Sequence, residues 1–401
     1  MPTNAWKRPA TMRRAATRIE VSAVTDRSGF EHLVQDWQAL EDAARQPTLF
    51  QSHPWCRLVL DLEAGRDVSS FQPCILVARE AGRIIGLLPL KRMAGRAAVV
   101  LTGLAEPFQQ YTDLILAADA DGPEVLAAML RSPAVRGRAD AIELRKVRAD
   151  SGLFAALGTK TAGLAPIDAA PFVDLRPHAD FASYLKTINA KSRKNMRNQR
   201  NRLTRQTPLE VVTPSATVEV RALIRSSFEG RVEWLAREGL SSRAFRDPAF
   251  PHLVDRFADS SETGIEVLAV SLRHGGRTIA EQWGFVHKRR YYAYVASWDP
   301  AYEEASPGKL IMEEVLRVCH ARGVGIADFL MPAARYKLTW AESATPVYDI
   351  VLPLTLRGRF TAHLWTGWLR PIAKRAVLAL PGGLRVWLAR VAHQSNSTHT
   401  G

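Results

Sequence analysis

The sequence predicts an α+β fold of two half-domains with mixed, mainly antiparallel sheets, followed by a basic helical tail. Three observations predict it. Each half contains a hairpin of β-rich runs: residues 73–78 and 84–90 around Gly82, and residues 266–272 and 278–286 around His274-Gly275-Gly276. Each half also contains amphipathic runs at helical spacing, the clearest being Ile311, Met312, Val315, Val318 and Cys319. Finally, the hairpins share a Gly–Arg–x–Ile pattern, at residues 82–85 and 276–279, which suggests a tandem arrangement with one half retaining a site.

The 401 residues suffice for two domains with buried cores. Cys56, Cys74 and Cys319 are scattered, with no CxxC, so neither a disulfide framework nor a zinc site is suggested and a reducing compartment follows. No apolar run approaches the roughly 18 residues of a membrane span. The net charge of +14 is concentrated in two acid-free stretches: residues 186–205 hold eight basic side chains and residues 356–401 hold seven. The remainder is close to neutral, which excludes a protein built throughout to coat nucleic acid and indicates two local basic surfaces.

Residues 1–18 are basic, lack the apolar centre of a secretion signal, and are expected to be a disordered lead-in. The first half, residues 19–150, opens with a strand at 19–24. A helix over 30–44 follows, with Phe30, Leu33, Val34, Trp37 and Leu40 on one side. A second helix follows the turn near His53. His53 and Cys56 lie three apart, but without further partners they read as a helix-start histidine and a buried thiol. After the first hairpin come strands at 98–101 and 113–117, a helix over 123–130 and a last strand at 141–145. Gly, Ala and Pro in residues 146–170 mark the boundary between halves.

The second half, residues 170–355, starts with a strand at 172–175 and a basic helix from Phe181 to about Gln206. Its one-sign charge repels itself, so the helix is either a solvated face or a surface that attracts a polyanion through Arg193, Lys194 and Arg197. The absence of aromatic residues after Tyr184 gives base stacking no support. A strand at 209–212, a helix over 217–229 and a loop and helix within 234–258 lead to the second hairpin. A strand at 291–298 then runs into Ser306-Pro307-Gly308, a helix start with Ser as cap and Pro at the first helical position. Gly323 stops that helix, and a short strand at 326–330 precedes Tyr336, Lys337 and Trp340. A bare helix end beside a strand is where anionic groups can sit, since free amides and the positive dipole end converge there. After a strand at 348–353, the tail mixes Trp365, Trp368, Leu369 and Ile372 with Arg and Lys. That composition suits either a helix lying on an anionic membrane or one packed against protein.

Trp298-Asp299, Tyr302, Ser306-Pro307-Gly308, Leu310, Gly323, Asp328-Phe329-Leu330, Tyr336-Lys337 and Trp340, in this order and spacing, resemble the CelD-type acetyltransferases. These are a branch of the GNAT-like acyltransferase superfamily related to the Fem peptidyltransferases of cell-wall synthesis. The resemblance implies tandem GNAT-like domains. It also implies an acyltransferase moving an acyl group, acetyl first, from CoA to an amino or hydroxyl group of a sugar or exopolysaccharide precursor. On this reading Ser306, Pro307, Gly308 and Lys309 seat the donor phosphates, with Tyr294 on the strand before them. Lys337 polarises the carbonyl and Tyr336 protonates the leaving group. Glu281 is the expected base, with Asp299 and Asp328 behind it, and Asp328 alternatively orients Lys337. Arg193, Lys194, Arg197, Tyr302 and Trp340 would meet substrate or polyanion.

The GNAT Q/R-x-x-G-x-G/A phosphate loop is absent, so acyl-CoA, acyl-carrier protein and, as in Fem relatives, aminoacyl-tRNA all remain open as donors. No nucleophile elbow is present, so direct attack rather than an acyl-enzyme is expected. No metal is expected. A non-catalytic scaffold docking on membrane or polyanion through the two basic surfaces is the alternative from another class. The expected location is cytoplasmic, with contact at the inner membrane face through residues 356–390 left open.

Overall fold

The structure, a computed structural model, describes residues 18–46, 48–66, 71–95, 98–205 and 207–361. The first half supplies strands β1 (Glu20–Val24), β2 (Phe71–Glu80), β3 (Arg83–Ala94), β4 (Val99–Gly103), β5 (Ile115–Leu116) and β6 (Ala141–Arg148). The second half supplies β7 (Asp168–Asp174), β8 (Leu209–Val212), β9 (Glu266–His274), β10 (Arg277–His287), β11 (Arg290–Trp298), β12 (Ile326–Asp328) and β13 (Ser343–Pro353). They join in one sheet, ordered β1-β2-β3-β4-β6-β13-β7-β12-β11-β10-β9-β8, with β5 beside β3.

The halves repeat a plan. In each, antiparallel strands lead to one parallel pair whose crossover contains a helix. The first pair is β4 with β6, through Gly122–Arg131, and the second is β11 with β12, through Pro307–Ala321. Each parallel pair is three register positions long. The halves then interlock: β13 returns from the end of the described chain to lie between β6 and β7, while β7 pairs with β12. The stretch 146–170 therefore carries the end of β6, the helix Gly152–Leu157 and the start of β7. Apolar packing crosses the same seam. Phe50, Trp55 and Phe108 from the first half share a core with Phe250, Phe257, Trp283 and Phe285 from the second.

Three helices differ from their expected extents. The helix over 30–44 is two, Arg27–His32 and Val34–Ala43. The basic helix is also two, Phe181–Thr187 and Ala190–Thr204. Ile188 is extended between them, and the Asn189 side chain accepts from the Lys191 amide at 2.9 Å, an N-cap that starts a new helix. The third runs on past Glu229 to span Thr217–Arg237. The thiols of Cys56, Cys74 and Cys319 are free and buried, and His53 stacks on Phe30 at 4.3 Å. The tail fold and the lead-in lie outside the described residues, apart from Arg18 and the short helix Leu356–Thr361.

Candidate active site

β11 and β12 pair only from Arg290↔Ile326 to Tyr292↔Asp328. β11 continues to Trp298 after β12 has ended, so the inner edge of residues 293–298 has no strand partner on that side. The helix Pro307–Ala321 begins at this opening, where a Cβ added to Gly308 would lie 3.6 Å from the Trp298 ring. The expected serine cap is corrected here. Ser306 is left-handed (φ 51°) and gives the helix no side-chain cap; its Oγ accepts instead from Gln199 Nε2 at 3.0 Å. The first turn contains no acid and carries Lys309. The corresponding helix of the first half is closed, because Asp121 accepts from the Glu124 amide at 3.0 Å and Glu124 puts a carboxylate in the first turn. Of the two, only the second helix end lacks a side-chain cap and an acid; its Gly308 amide and positive dipole end are open to an anion, the Ser306 and Lys309 amides being bonded to the Glu303 and Ser306 carbonyls.

The bond from Gln199 also fixes the basic helix beside this end. Arg200 pairs with Glu314 at 2.6 Å and Arg202 with Glu304 at 3.0 Å, which uses the face turned to the domain. Lys194 and Arg197 are exposed and Arg193 half-buried, and none has a carboxylate partner among the described residues.

Glu281 faces Ser297 across β10 and β11 and is 7% exposed. Burial raises its carboxyl to about 7, with the Ser226 hydroxyl and the Arg273 charge opposing the shift. Ser226 belongs to the helix Thr217–Arg237, which packs on this face. A Cβ added to Gly230 would come within 3.1 Å of Ser297 Cβ, so a glycine there permits the close approach. At the next residue, the Arg231 guanidinium lies over the Trp234 ring at 4.1 Å, and Trp234 lies 6.2 Å from Trp298. Burial lowers Arg231, and its charge acts on Tyr336 and Lys337. Among the described residues it has no carboxylate partner. Arg231 and Trp234 escaped the sequence reading; their only signal was a cation three residues before an aromatic on one helix.

Lys337 is buried and donates to the Leu330 and Pro332 carbonyls at 3.0 and 3.1 Å. Burial first and Arg231 second bring its ammonium down to about 8, against Asp328 and Asp168. Two of its three N–H groups therefore hold the loop after β12, and one remains. The Tyr336 hydroxyl has no hydrogen-bond partner among the described residues, and burial raises it.

The structure places five other expected site residues elsewhere. Asp328 is fully buried, accepting from Arg148, from Arg290 at 3.1 Å, from the Tyr111 hydroxyl at 2.8 Å and from the Leu330 amide at 2.9 Å, so it cannot reach a substrate. Asp299 caps the 3-10 turn Pro300–Ala305 and pairs with Arg277 at 2.5 Å. Tyr294 donates its hydroxyl to the Phe108 carbonyl at 2.7 Å, away from the helix end. Tyr302 meets His274 Nδ1 at 3.3 Å. Trp340 is enclosed in the core, and its carbonyl accepts from Tyr184 at 2.8 Å. Among the described residues no cluster of His, Cys, Asp and Glu could hold a metal ion, and no helix is long and apolar enough to cross a membrane.

Residues 190–338 match the family described as Acetyltransferase (GNAT) domain. No curated protein matches the chain. Among solved structures, FemX is 11% identical and covers 86% of this chain and 99% of its own, with a TM-score of 0.56. A tandem GNAT protein from the clavulanic acid biosynthesis pathway is 13% identical over 84% of this chain and 99% of its own, with a TM-score of 0.45. Residues 190–338 thus match a GNAT acetyltransferase domain, the kind of domain found in transferases, and the chain as a whole shares its fold with FemX.

Proposed function

We propose that the GNAT domain moves an acyl group, acetyl first, from CoA to an amino or hydroxyl group of a sugar or exopolysaccharide precursor, as CelD-type enzymes would. The observation that carries this reading is the parting of β11 and β12 beside an uncapped helix end. The pantetheine arm would lie along the free edge of residues 293–298. Its phosphates would sit at the Gly308 end, within reach of Lys309 and the exposed Lys194 and Arg197. Glu281, poised near neutrality, would take the proton as the acceptor's nitrogen or oxygen attacks the thioester carbon. The oxyanion formed would face Arg231 and the third N–H of Lys337. As the carbon–sulfur bond breaks, Tyr336 would give its proton to the departing thiolate. Lys337 then serves chiefly as a positioning residue that holds the Leu330–Pro332 loop.

A Fem-like aminoacyl transfer is the second reading, favoured by the FemX-like fold and by the unpaired cations of the basic helix. Thermal-shift titration with acetyl-CoA, longer acyl-CoA and free CoA tests the first, because a ligand of the folded form raises the unfolding midpoint. Transfer assays with acetyl-CoA and aminoacyl-tRNA then separate the two. If no CoA species shifts the midpoint, the CoA reading falls.

A further inference from the structure

At the other end of β11 the two halves enclose a cleft of about 650 Å³, which is within the size range of small-molecule sites. Arg290 and Trp298 lie at opposite ends of that strand, about 26 Å apart at roughly 3.3 Å per residue. The cleft is therefore separate from the proposed seat of the CoA phosphates.

Its lining brings together Arg45 and Arg148 from the first half with Arg176, Lys288, Arg289 and Arg290 from the second. Four of these cations have carboxylate partners. Arg148 holds Asp150 at 2.8 Å and Asp328, which Arg290 shares; Arg176 pairs with Asp174 at 2.6 Å and Lys288 with Asp42 at 2.8 Å. Arg45 and Arg289 have only backbone carbonyls, those of Ala118 and Gly323, each at 2.9 Å. Asp113, the remaining acid of the lining, is occupied by the Leu114 and Leu153 amides at 2.8 Å. Arg45 and Arg289 are thus left without a carboxylate partner among the described residues. His287 Nε2, also on the wall, is buried without a hydrogen-bond partner.

The position of Arg289 is itself informative. Lys288 and Arg289 form the two-residue turn between β10 and β11 with φ of 47° and 62°, a conformation that Gly and Asn adopt at lower cost. The chain keeps two cations there instead.

We propose that this cleft is a binding site for a compact dianion of the phosphate type, held by Arg289 and Arg45 above the buried Arg148–Asp328–Arg290 ion cluster. Calorimetric titration of the full chain with inorganic phosphate, in mildly alkaline buffer where it is the dianion and with ionic strength fixed by sodium chloride, tests it. Saturable one-to-one binding is expected. Arg289→Gly should weaken it at least about tenfold, the loss of a charge-assisted pair, while raising the ligand-free unfolding midpoint by relieving the left-handed arginine. Arg45→Gln should weaken it similarly. Wild-type affinity in Arg289→Gly, or binding lost in Lys194→Ala instead, would overturn the proposal.

Discussion

Replacing Glu281 by Gln should make the protein more stable and less active at once. Burial raises the carboxyl from an ordinary 4.5 to about 7, so the folded chain holds its proton across a range where the unfolded chain has released it. Folding stability from this group is fully present below pH 4.5 and is lost as pH rises through 7. The span of about 2.5 pH units, at about 1.4 kcal/mol per unit, puts the cost at about 3–4 kcal/mol above pH 7. Gln is nearly isosteric and cannot ionise, so it avoids that cost. Urea unfolding of both proteins at intervals from pH 4.5 to 8.5 would show the curves together at the acid end. They should separate by about 3–4 kcal/mol at the alkaline end, Glu281→Gln being the more stable. In the transfer assay, wild-type kcat/KM should rise tenfold per pH unit below about 7 and level off above it. The variant should lose roughly 10²- to 10⁴-fold, the usual contribution of a general base. Parallel stability curves across the whole range would refute the titration near neutrality. A gain in stability with full activity would refute the role as base while leaving the burial argument standing.

Three further outcomes follow from the geometry. Asp328→Asn should cost about 3–5 kcal/mol in denaturant unfolding, because the buried Arg148 and the half-buried Arg290 lose the carboxylate they share, leaving Arg148 with Asp150 alone. Gly284→Ala should cost about 3 kcal/mol by the same measurement, since its Cβ would collide with the Tyr292 carbonyl at the bulge between Trp283 and Gly284. Ser306→Asp should hold or raise the unfolding midpoint, as an acid favours a helix N-terminus. It should also raise KM for acyl-CoA about tenfold by repelling the phosphates, with kcat little changed.

Much of the local structure was legible because it is set by local chemistry. Gly82 and Gly275-Gly276 turn the hairpins, and the periodic face of Ile311, Met312 and Val315 fixes the helix that leaves the wedge. The site was legible only where a residue's role depends on its neighbours in sequence. Asp328 and Trp340 sit in the right pattern, but their environment comes from Arg148, Tyr111 and Tyr184, up to 217 residues away. The same limit hid Arg231. Its isolation from carboxylates is a property of the assembled site and leaves no trace in the run R-V-E-W. Ser306 shows a subtler failure: a Ser-Pro-Gly string has the composition of a cap, yet its left-handed backbone turns the hydroxyl to Gln199.

On the proposed function, the duplicated plan gives the two halves different parts, an open site in the second and a brace in the first. β4 and β6 part after Thr102↔Glu143 much as β11 and β12 part after Tyr292↔Asp328. In the first half, however, the chain fills its own opening. Residues 104–113 are almost wholly buried; the Thr112 amide donates to the Lys146 carbonyl at 3.4 Å, and Lys146 Nζ donates to the Gln109 carbonyl at 2.7 Å. A Cβ on Gly103 would collide with the Gln109 side chain, so even the strand end is shaped to admit this plug. The plug then reaches across the seam: the Phe108 carbonyl accepts from Tyr294, and Tyr111 donates to Asp328. Both bonds land on the strands that bound the second opening. A closed first wedge thus braces the open one, which must hold a fixed gap without a strand to fill it. On that logic a pocket in the first half is not a missing feature but the cost of rigidity in the second.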